Sequence, residues 1–389
     1  MKQQLSFPKL GIDLEIPRIA FSIGPIDIYW YGIIIAVGFA LALIYAMSRV
    51  KKFGLDGDRV IDVVLGAVVG GIVGARLYYV LFTWDEYKND LLSIFDTRKG
   101  GMAIYGGIIG AFLVGALMCK LRKVKFLPLC DLAAGGFFIG QAIGRWGNFV
   151  NVEAFGGNTS LPWGMTSDTI SRYLLSHESE LTKIGMTIDV NAPVHPTFLY
   201  ESLWCVIGFF VLQAVLKHRR FDGEGLLFYV LWYGAGRFVI EGLRTDSLMI
   251  GALRVSQMFA LLCCIASAVI WILVRSKIRR VGDPEYMKLY VDTEEGKSVV
   301  AGTYYPKLKE EAAARKAQKA LLKEKKNAKE EPVQEKVQEA GEELPHPQTE
   351  EAVGDAAQAS EEAVSPQEEP LSEEEPRQES DSQKKDSQE

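Results

Sequence analysis

The feature that most constrains this chain is a series of apolar runs, each about twenty residues long. A hydrocarbon layer of ~30 Å takes ~20 helical residues to cross. Seven runs meet that length, at about residues 26–47, 60–82, 102–120, 127–148, 197–216, 225–243 and 253–274. None alternates strictly with period two, so helices are favoured over a barrel. The expected fold class is an all-α integral membrane protein with seven transmembrane helices. The first run is too long for a removable signal peptide, and no small-x-small site follows it.

Basic residues set the expected orientation. Arg49, Lys51, Lys52 and Arg59 follow the first run, and Lys120, Arg122, Lys123 and Lys125 the third. Lys217, Arg219 and Arg220 follow the fifth, and Arg275, Lys277, Arg279 and Arg280 the seventh. With seven spans these loops share one side, the cytoplasm. The N-terminus is then outside and the C-terminus cytoplasmic. Lys88, Arg98 and Lys99 on an opposite loop make the asymmetry moderate there.

Composition divides the chain further. Residues 331–389 hold 19 acidic and 4 basic residues, a net −15. The whole chain carries −6, so residues 1–330 carry +9. The tail is rich in Glu, Gln, Ser and Pro, has no aromatic residue, and is expected to be disordered. Residues 306–330 have helix-forming composition with mixed charge, so a helix and disorder are both open. Three parts follow: a transmembrane domain over 1–280, a charged cytoplasmic segment over 281–330, and a disordered acidic tail over 331–389. The five cysteines (Cys119, Cys130, Cys205, Cys263, Cys264) show no metal-ligand spacing, and neither a metal site nor a disulfide is expected.

Small residues recur every fourth position at Gly136, Gly140 and Gly144, at Gly70 and Gly74, and at Gly106 and Gly110. Such stripes let helix backbones approach closely. The plain reading is a tightly packed bundle, which also holds polar groups in fixed positions.

Charge inside a span is costly, at least ~2.5 kcal/mol for Arg near the centre. Arg76 lies late in the second run, and Arg145 late in the fourth with Asn148 one turn on. Arg237 and Glu241 lie in the second half of the sixth. In the expected topology all fall in the outer half of the membrane. Tyr29, Trp30, Tyr31, Tyr105, His195, Tyr200 and Glu201 lie at the same depth. Tyr233, Arg237, Glu241 and Arg244 follow one another at i, i+4, i+8 and i+11, on one helical face. Plainer readings exist. Arg76 and Arg145 can snorkel to the interface, and Arg237–Glu241 can be a self-neutralising pair. His195, before a proline, can be a loop feature. Against snorkelling, Asn148, Asn151 and Glu153 give Arg145 a polar, turn-like surrounding. Several arginines at one depth point to an anionic ligand, because guanidinium forms paired, planar hydrogen bonds with phosphate and stays charged. In the outer leaflet that ligand is a phospholipid headgroup.

Five segments then carry a resemblance. "GPIDIYWYG" (24–32), "GGMAIYGGIIG" (100–110), "GRWGNFVNVEAFG" (144–156), "HPTFLYES" (195–202) and "YGAGRFVIEGLR" (233–244) resemble signatures of bacterial prolipoprotein diacylglyceryl transferases. The resemblance covers about residues 15–275, in order, and excludes the acidic tail. It implies a seven-helix enzyme of the bacterial cell membrane with its site toward the outer face. It implies transfer of the diacylglyceryl group of phosphatidylglycerol to the lipobox cysteine of a preprolipoprotein that still bears its signal peptide. A thioether forms and glycerol 1-phosphate leaves. No metal or organic cofactor is implied, and the partners are the two substrates and membrane lipids, with no nucleic acid.

Carried over by position, Arg145 and Arg237 match the family's two essential arginines, expected to bind the phosphate and stabilise charge on it as it leaves. Asn148, Glu153, Glu241, Arg244, Tyr31 and Tyr233 match further motif positions. Glu153 and Glu241 are expected to hold the arginines or polarise the glycerol, and Tyr31 and Tyr233 to donate to the headgroup. Arg76 and His195 complete the substrate-binding candidates. One position departs. Better-known members read His-Gly-Gly where this chain has Tyr105-Gly106-Gly107. A phenol ordinarily titrates near ~10 and is a poor base at neutral pH. Tyr105 is therefore kept as a catalytic candidate that positions lipid or peptide. The incoming thiol, with an ordinary pKa near ~8.5, is expected to lose its proton beside the arginines.

Two rival readings remain at this point. An anion transporter predicts polar groups through both leaflets and inverted repeats, whereas the polar groups here are confined to one half. A scaffold working through its acidic tail leaves Arg145 and Arg237 unexplained. The long segment 151–194 is expected to contain a short helix near "SRYLLSHESELTK" (171–183).

Overall fold

The computed structural model describes residues 2–96, 100–247, 249–250 and 253–339. Two antiparallel hairpins come first: β1 (Lys2–Phe7) with β2 (Ile12–Pro17), then β3 (Ile19–Ile23) with β4 (Ile26–Tyr29). The helices α1 (Trp30–Arg49), α2 (Gly57–Phe82) and the single turn α3 (Trp84–Tyr87) follow. Next come α4 (Ile104–Arg122), α5 (Phe126–Asn151), α6 (Asp168–Lys183), α7 (Thr197–Lys217) and α8 (Glu224–Glu241). A minimal hairpin, β5 (Met249–Ile250) with β6 (Leu253–Arg254), leads into α9 (Val255–Val281). The described part closes with α10 (Glu294–Val300) and α11 (Tyr304–Glu339).

The helix ends follow local chemistry. The Asp56 carboxylate caps α2 by accepting the Arg59 N–H at 3.1 Å. Ser167 caps α6 in the same way, through Thr169, which places the helix expected within 171–183. Gly282, in the left-handed region, stops α9.

Among the described residues, six helices are long and apolar enough to cross a membrane. They are α1 with its 3-10 extension to Phe53, α2, α4, α5, α7 and α9. The sequence reading expects seven. The run without a counterpart among them is the sixth, the 18-residue α8, which carries Glu224, Arg237 and Glu241 and is too charged to stand as a span on composition. The described residues are mostly helical, as the sequence predicts, with three two-stranded β elements among them that it does not. The first two lie ahead of α1, where turns at Gly11 and Gly24, both with positive φ, reverse the chain.

The helices pack in sequence as α1 on α5, α5 on α7, α7 on α8 and α8 on α9, while α2 pairs with α4. Gly70 and Gly74 of α2 face Gly106 and Gly110 of α4, so two of the small-residue stripes meet each other. A Cβ on Gly74 would lie 2.8 Å from the Gly110 Cα, closer than packed atoms tolerate. The third stripe, on α5, faces α1 more loosely.

Two buried clusters mark the ends of the bundle. One joins Val50, Phe53, Val60, Cys119, Val124 and Leu132 to Tyr290 and Val299 from beyond α9. The other joins Leu5 of β1 to Val152, Phe155, Met165, Ile170, Leu174 and Phe198. β1, α6 and the segment after α5 thus form a cap over the end where α5 finishes and α7 begins. Ser6 and Thr166 exchange backbone hydrogen bonds of 2.9 and 2.8 Å within that cap.

At the opposite end, buried Asp131 accepts the N–H groups of Gly223 and Leu226 at 2.9 and 3.0 Å, satisfying the start of α8 from α5. Fully buried Glu224 accepts the Trp271 Nε1–H at 2.6 Å and pairs with Arg275 of α9. Within α11 the described residues divide into two units, the first ending at Ala317 and the second starting at Gln318. Residues 331–339, the start of the acidic tail, belong to α11, and the rest of the tail lies outside the described residues.

Candidate active site

Three helices bring charge to the capped end. α5 contributes Arg145 and Asn148, α7 contributes Glu201, and α8 contributes Tyr233, Arg237 and Glu241. Their mutual placement is locked by polar contacts between the helices. The Trp146 Nε1–H donates to Ser202 Oγ at 3.2 Å, and that hydroxyl donates to the Ala142 carbonyl at 2.8 Å, joining α5 to α7. Trp204 and Trp232 stack with centroids 4.6 Å apart, and each donates its indole N–H to the other's carbonyl, joining α7 to α8.

Glu201 is the centre of the arrangement. Its Oε2 pairs with Arg145 Nε, and its Oε1 accepts from Arg237 Nη1 at 2.6 Å. Arg237 Nη2 lies 2.5 Å from Glu241 Oε2, an ion pair without hydrogen-bond alignment. Arg145 reaches Asn148 Oδ1 at 3.3 Å and the Tyr233 hydroxyl at 3.5 Å, both long contacts. Glu153 accepts from Asn148 at 2.9 Å and from Asn151 at 3.3 Å. A continuous chain therefore runs Glu241–Arg237–Glu201–Arg145–Asn148–Glu153.

The two components differ in depth. The Glu201 and Glu241 side chains are 4% and 2% exposed, whereas those of Arg145 and Arg237 are 21% and 19% exposed. The carboxylates are the more deeply buried; Arg237 turns Nη1 and Nη2 to them, whereas Arg145 Nη1 and Nη2 meet Asn148 and Tyr233. Such an arrangement presents N–H donors and suits an oxyanion.

The remaining sequence candidates take other positions. Tyr31 packs against α5, with its ring 2.8 Å from where a Gly147 Cβ would be. Tyr233 stacks nearly parallel on Tyr229, whose hydroxyl accepts from Gln141 at 2.8 Å. His195 Nδ1 lies 3.1 Å from the Tyr200 hydroxyl, which accepts from Trp163 at 2.8 Å. Burial pushes the His195 imidazole below its ordinary pKa. Its backbone pairs with Gly156 and Gly157, tying the start of α7 to the segment after α5.

Arg76 and Arg244 are not in the chain of contacts around Glu201. All five N–H donors of Arg76 go to backbone carbonyls, those of Ser93, Ile94, Asp96, Gly100 and Gly101. Arg244 makes a bidentate pair with Asp246 at 2.7 and 2.9 Å. Tyr105 stands in the first turn of α4 and is half exposed. Sequence reasoning noted Glu201 at the right depth and gave it no role. The available signal was its position as the lone carboxylate inside an otherwise apolar span.

Similarity to known proteins covers the helices that carry these residues. The sequence profile described as prolipoprotein diacylglyceryl transferase matches residues 18–273. A phosphatidylglycerol–prolipoprotein diacylglyceryl transferase of Finegoldia magna is 43% identical over 262 residues, 67% of this chain and 97% of the relative. The enzyme of the same name from Clostridioides difficile strain 630 is 40% identical over 260 residues, 67% and 96% of the two chains. That of Bacillus cereus strain Q1 is 42% identical over 281 residues, 72% and 99%. The profile runs from the strands ahead of α1 into α9 and takes in every helix that carries the arginine–carboxylate chain, so this chain belongs to the prolipoprotein diacylglyceryl transferase family.

Proposed function

We propose that this protein transfers the diacylglyceryl group of phosphatidylglycerol to the lipobox-cysteine thiol of a preprolipoprotein, an early step of lipoprotein maturation. The carrying observation is the pair of partly buried arginines, Arg145 and Arg237, held by the buried carboxylates Glu201 and Glu241 at one end of an apolar bundle. Thiolate attack on the glyceryl carbon forms the C–S bond and breaks the C–O bond to phosphate. The phosphate charge grows from −1 in the diester to −2 in the departing glycerol phosphate. Arg145 and Arg237 bind the phosphate, and they stabilise the added charge as it develops.

Tyr233 and Asn148 border Arg145 and donate to the headgroup, Glu153 orients Asn148, and Tyr31, packed on α5 at Gly147, is a further headgroup donor. Arg76, its donors fully engaged by backbone, fixes the segment ahead of α4 instead of binding phosphate. Arg244 with Asp246, and His195 with Tyr200, brace the cap. Tyr105 positions lipid or peptide. The thiol loses its proton because the nearby arginines favour the thiolate.

In this reading α8 also crosses, sixth in chain order and bringing the total to seven, its charges paired with neighbours so that it inserts among them. The N-terminus and cap lie outside, and the basic loops and acidic tail lie in the cytoplasm of a bacterial cell. The catalytic domain is residues 1–280, with the charged segment 281–330 and the acidic tail 331–389 appended.

The test is diacylglyceryl transfer from phosphatidylglycerol to a lipobox-cysteine peptide by the purified protein and a folded Arg145→Ala variant. Transfer by the parent and loss of at least ~100-fold in the variant is the expected result. A folded, lipid-supplied parent that transfers nothing overturns the reading.

A further inference from the structure

Arg145 and Arg237, both partly buried and sharing Glu201, repel each other, and each has a carboxylate partner. Glu201 takes one nitrogen of each: Arg145 Nε and Arg237 Nη1. This leaves the Nη1 and Nη2 groups of Arg145 with only the long contacts to Asn148 and Tyr233. Those two donors form one planar edge, the geometry that grips a phosphate with parallel bonds. The carboxylate is 4% exposed, more deeply buried than either arginine. With Glu241 it brings the four-residue cluster to zero net charge.

We propose that Glu201 is a positioning residue that sets how tightly the arginine pair holds an anion. It aligns both guanidinium groups toward one phosphate and moderates their combined charge, so that the doubly charged leaving group departs. The inference rests on the transfer reading above for the identity of the anion. Removing the charge of Glu201 while keeping its shape leaves the cluster at +1. A unit charge a few ångströms away changes anion affinity by roughly tenfold or more at an effective dielectric near 20, and a −2 product gains more than a −1 lipid.

The experiment compares the parent with Glu201→Gln and Glu201→Asp, all in detergent with added phosphatidylglycerol. Glycerol phosphate binding is measured by calorimetry, and kcat and KM by transfer to a lipobox peptide. The expected result for Glu201→Gln is glycerol phosphate bound roughly tenfold tighter, kcat lowered by roughly tenfold or more, and KM for phosphatidylglycerol unchanged or lower. Glu201→Asp keeps the charge and is expected to bind glycerol phosphate within about threefold of the parent, with partial recovery of kcat. If both variants lose lipid binding, product binding and transfer together, Glu201 only holds the fold and the proposal is overturned. Parental kcat and parental glycerol phosphate affinity in Glu201→Gln also overturn it. Should Glu201→Gln fail to fold, the decision passes to Glu201→Asp: product affinity raised tenfold despite the retained charge contradicts the proposal. A parent that binds glycerol phosphate but transfers nothing instead removes the transfer reading, and calorimetry alone then decides the role of Glu201.

Discussion

His195 shows how a single side chain can report on the cap. Its imidazole is half-buried against Tyr200, and burial holds its pKa below the ordinary 6.5. The folded state therefore binds a proton less readily than the unfolded chain. The associated stability is present above the ordinary pKa and is lost as pH falls through the folded value. Melting of the parent is expected to fall more steeply than that of His195→Gln between about pH 7 and pH 5. Parallel melting curves would remove this assignment. Tyr105 gives a second residue-scale expectation. It stands half exposed at the start of α4, and in the proposed reading it positions lipid or peptide and is not the base, so Tyr105→Phe is expected to keep transfer within about tenfold of the parent. A loss matching that of Arg145→Ala would place the phenol in the proton path. Arg145, Arg237 and Glu241 were legible because intramembrane charge is rare. Glu201 was not assigned, because its partners lie on other helices, 56 and 36 positions away, and spacing along one helix cannot report them.

At the scale of elements, the small-residue stripes look alike in sequence and differ in structure. Gly74 lies against the backbone of α4, which cannot yield to a methyl group. Gly140 has nothing within 4 Å of where its Cβ would be. Gly74→Ala is expected to cost about 1–3 kcal/mol by overpacking. Gly140→Ala is expected to be neutral or to gain up to about 1 kcal/mol from helix propensity. Thermal melting of both variants in detergent checks the contrast, and equal shifts would contradict it. Helix α8 shows the same limit from the other side. Its one-face spacing of Tyr233, Arg237 and Glu241 was readable, but Arg244 lies beyond the helix end and turns to Asp246. The β hairpins ahead of α1 were missed because short strands outside the apolar runs carry little periodic signal.

For the molecule as a whole, the segment after α9 folds back onto three loops. Tyr290 is buried in the cluster with Val50, Phe53 and Leu132, and its N–H donates to Asp222 at 2.7 Å. Glu295 pairs with Lys125 at 3.2 Å, and the Arg59 guanidinium lies 3.5 Å from the Tyr305 ring centroid. These contacts join the α1–α2, α4–α5 and α7–α8 connections beyond residue 273, where the family profile ends. Tyr290→Ala is expected to destabilise the protein by about 3–5 kcal/mol, read as a lower melting temperature. An unchanged melting temperature would show that the clasp adds nothing to the fold.

The sequence by itself determined that apolar runs form helices long and apolar enough to cross a bilayer, that Arg145, Arg237 and Glu241 stand late in their runs, and which family the motifs resemble. Those properties depend on run length and local spacing, which a linear chain displays directly. The tertiary structure alone decided which arginines share a carboxylate, which glycine stripes touch, and that Arg76 is committed to backbone carbonyls. Such pairings join residues far apart in sequence, and only packing brings their side chains within hydrogen-bond reach.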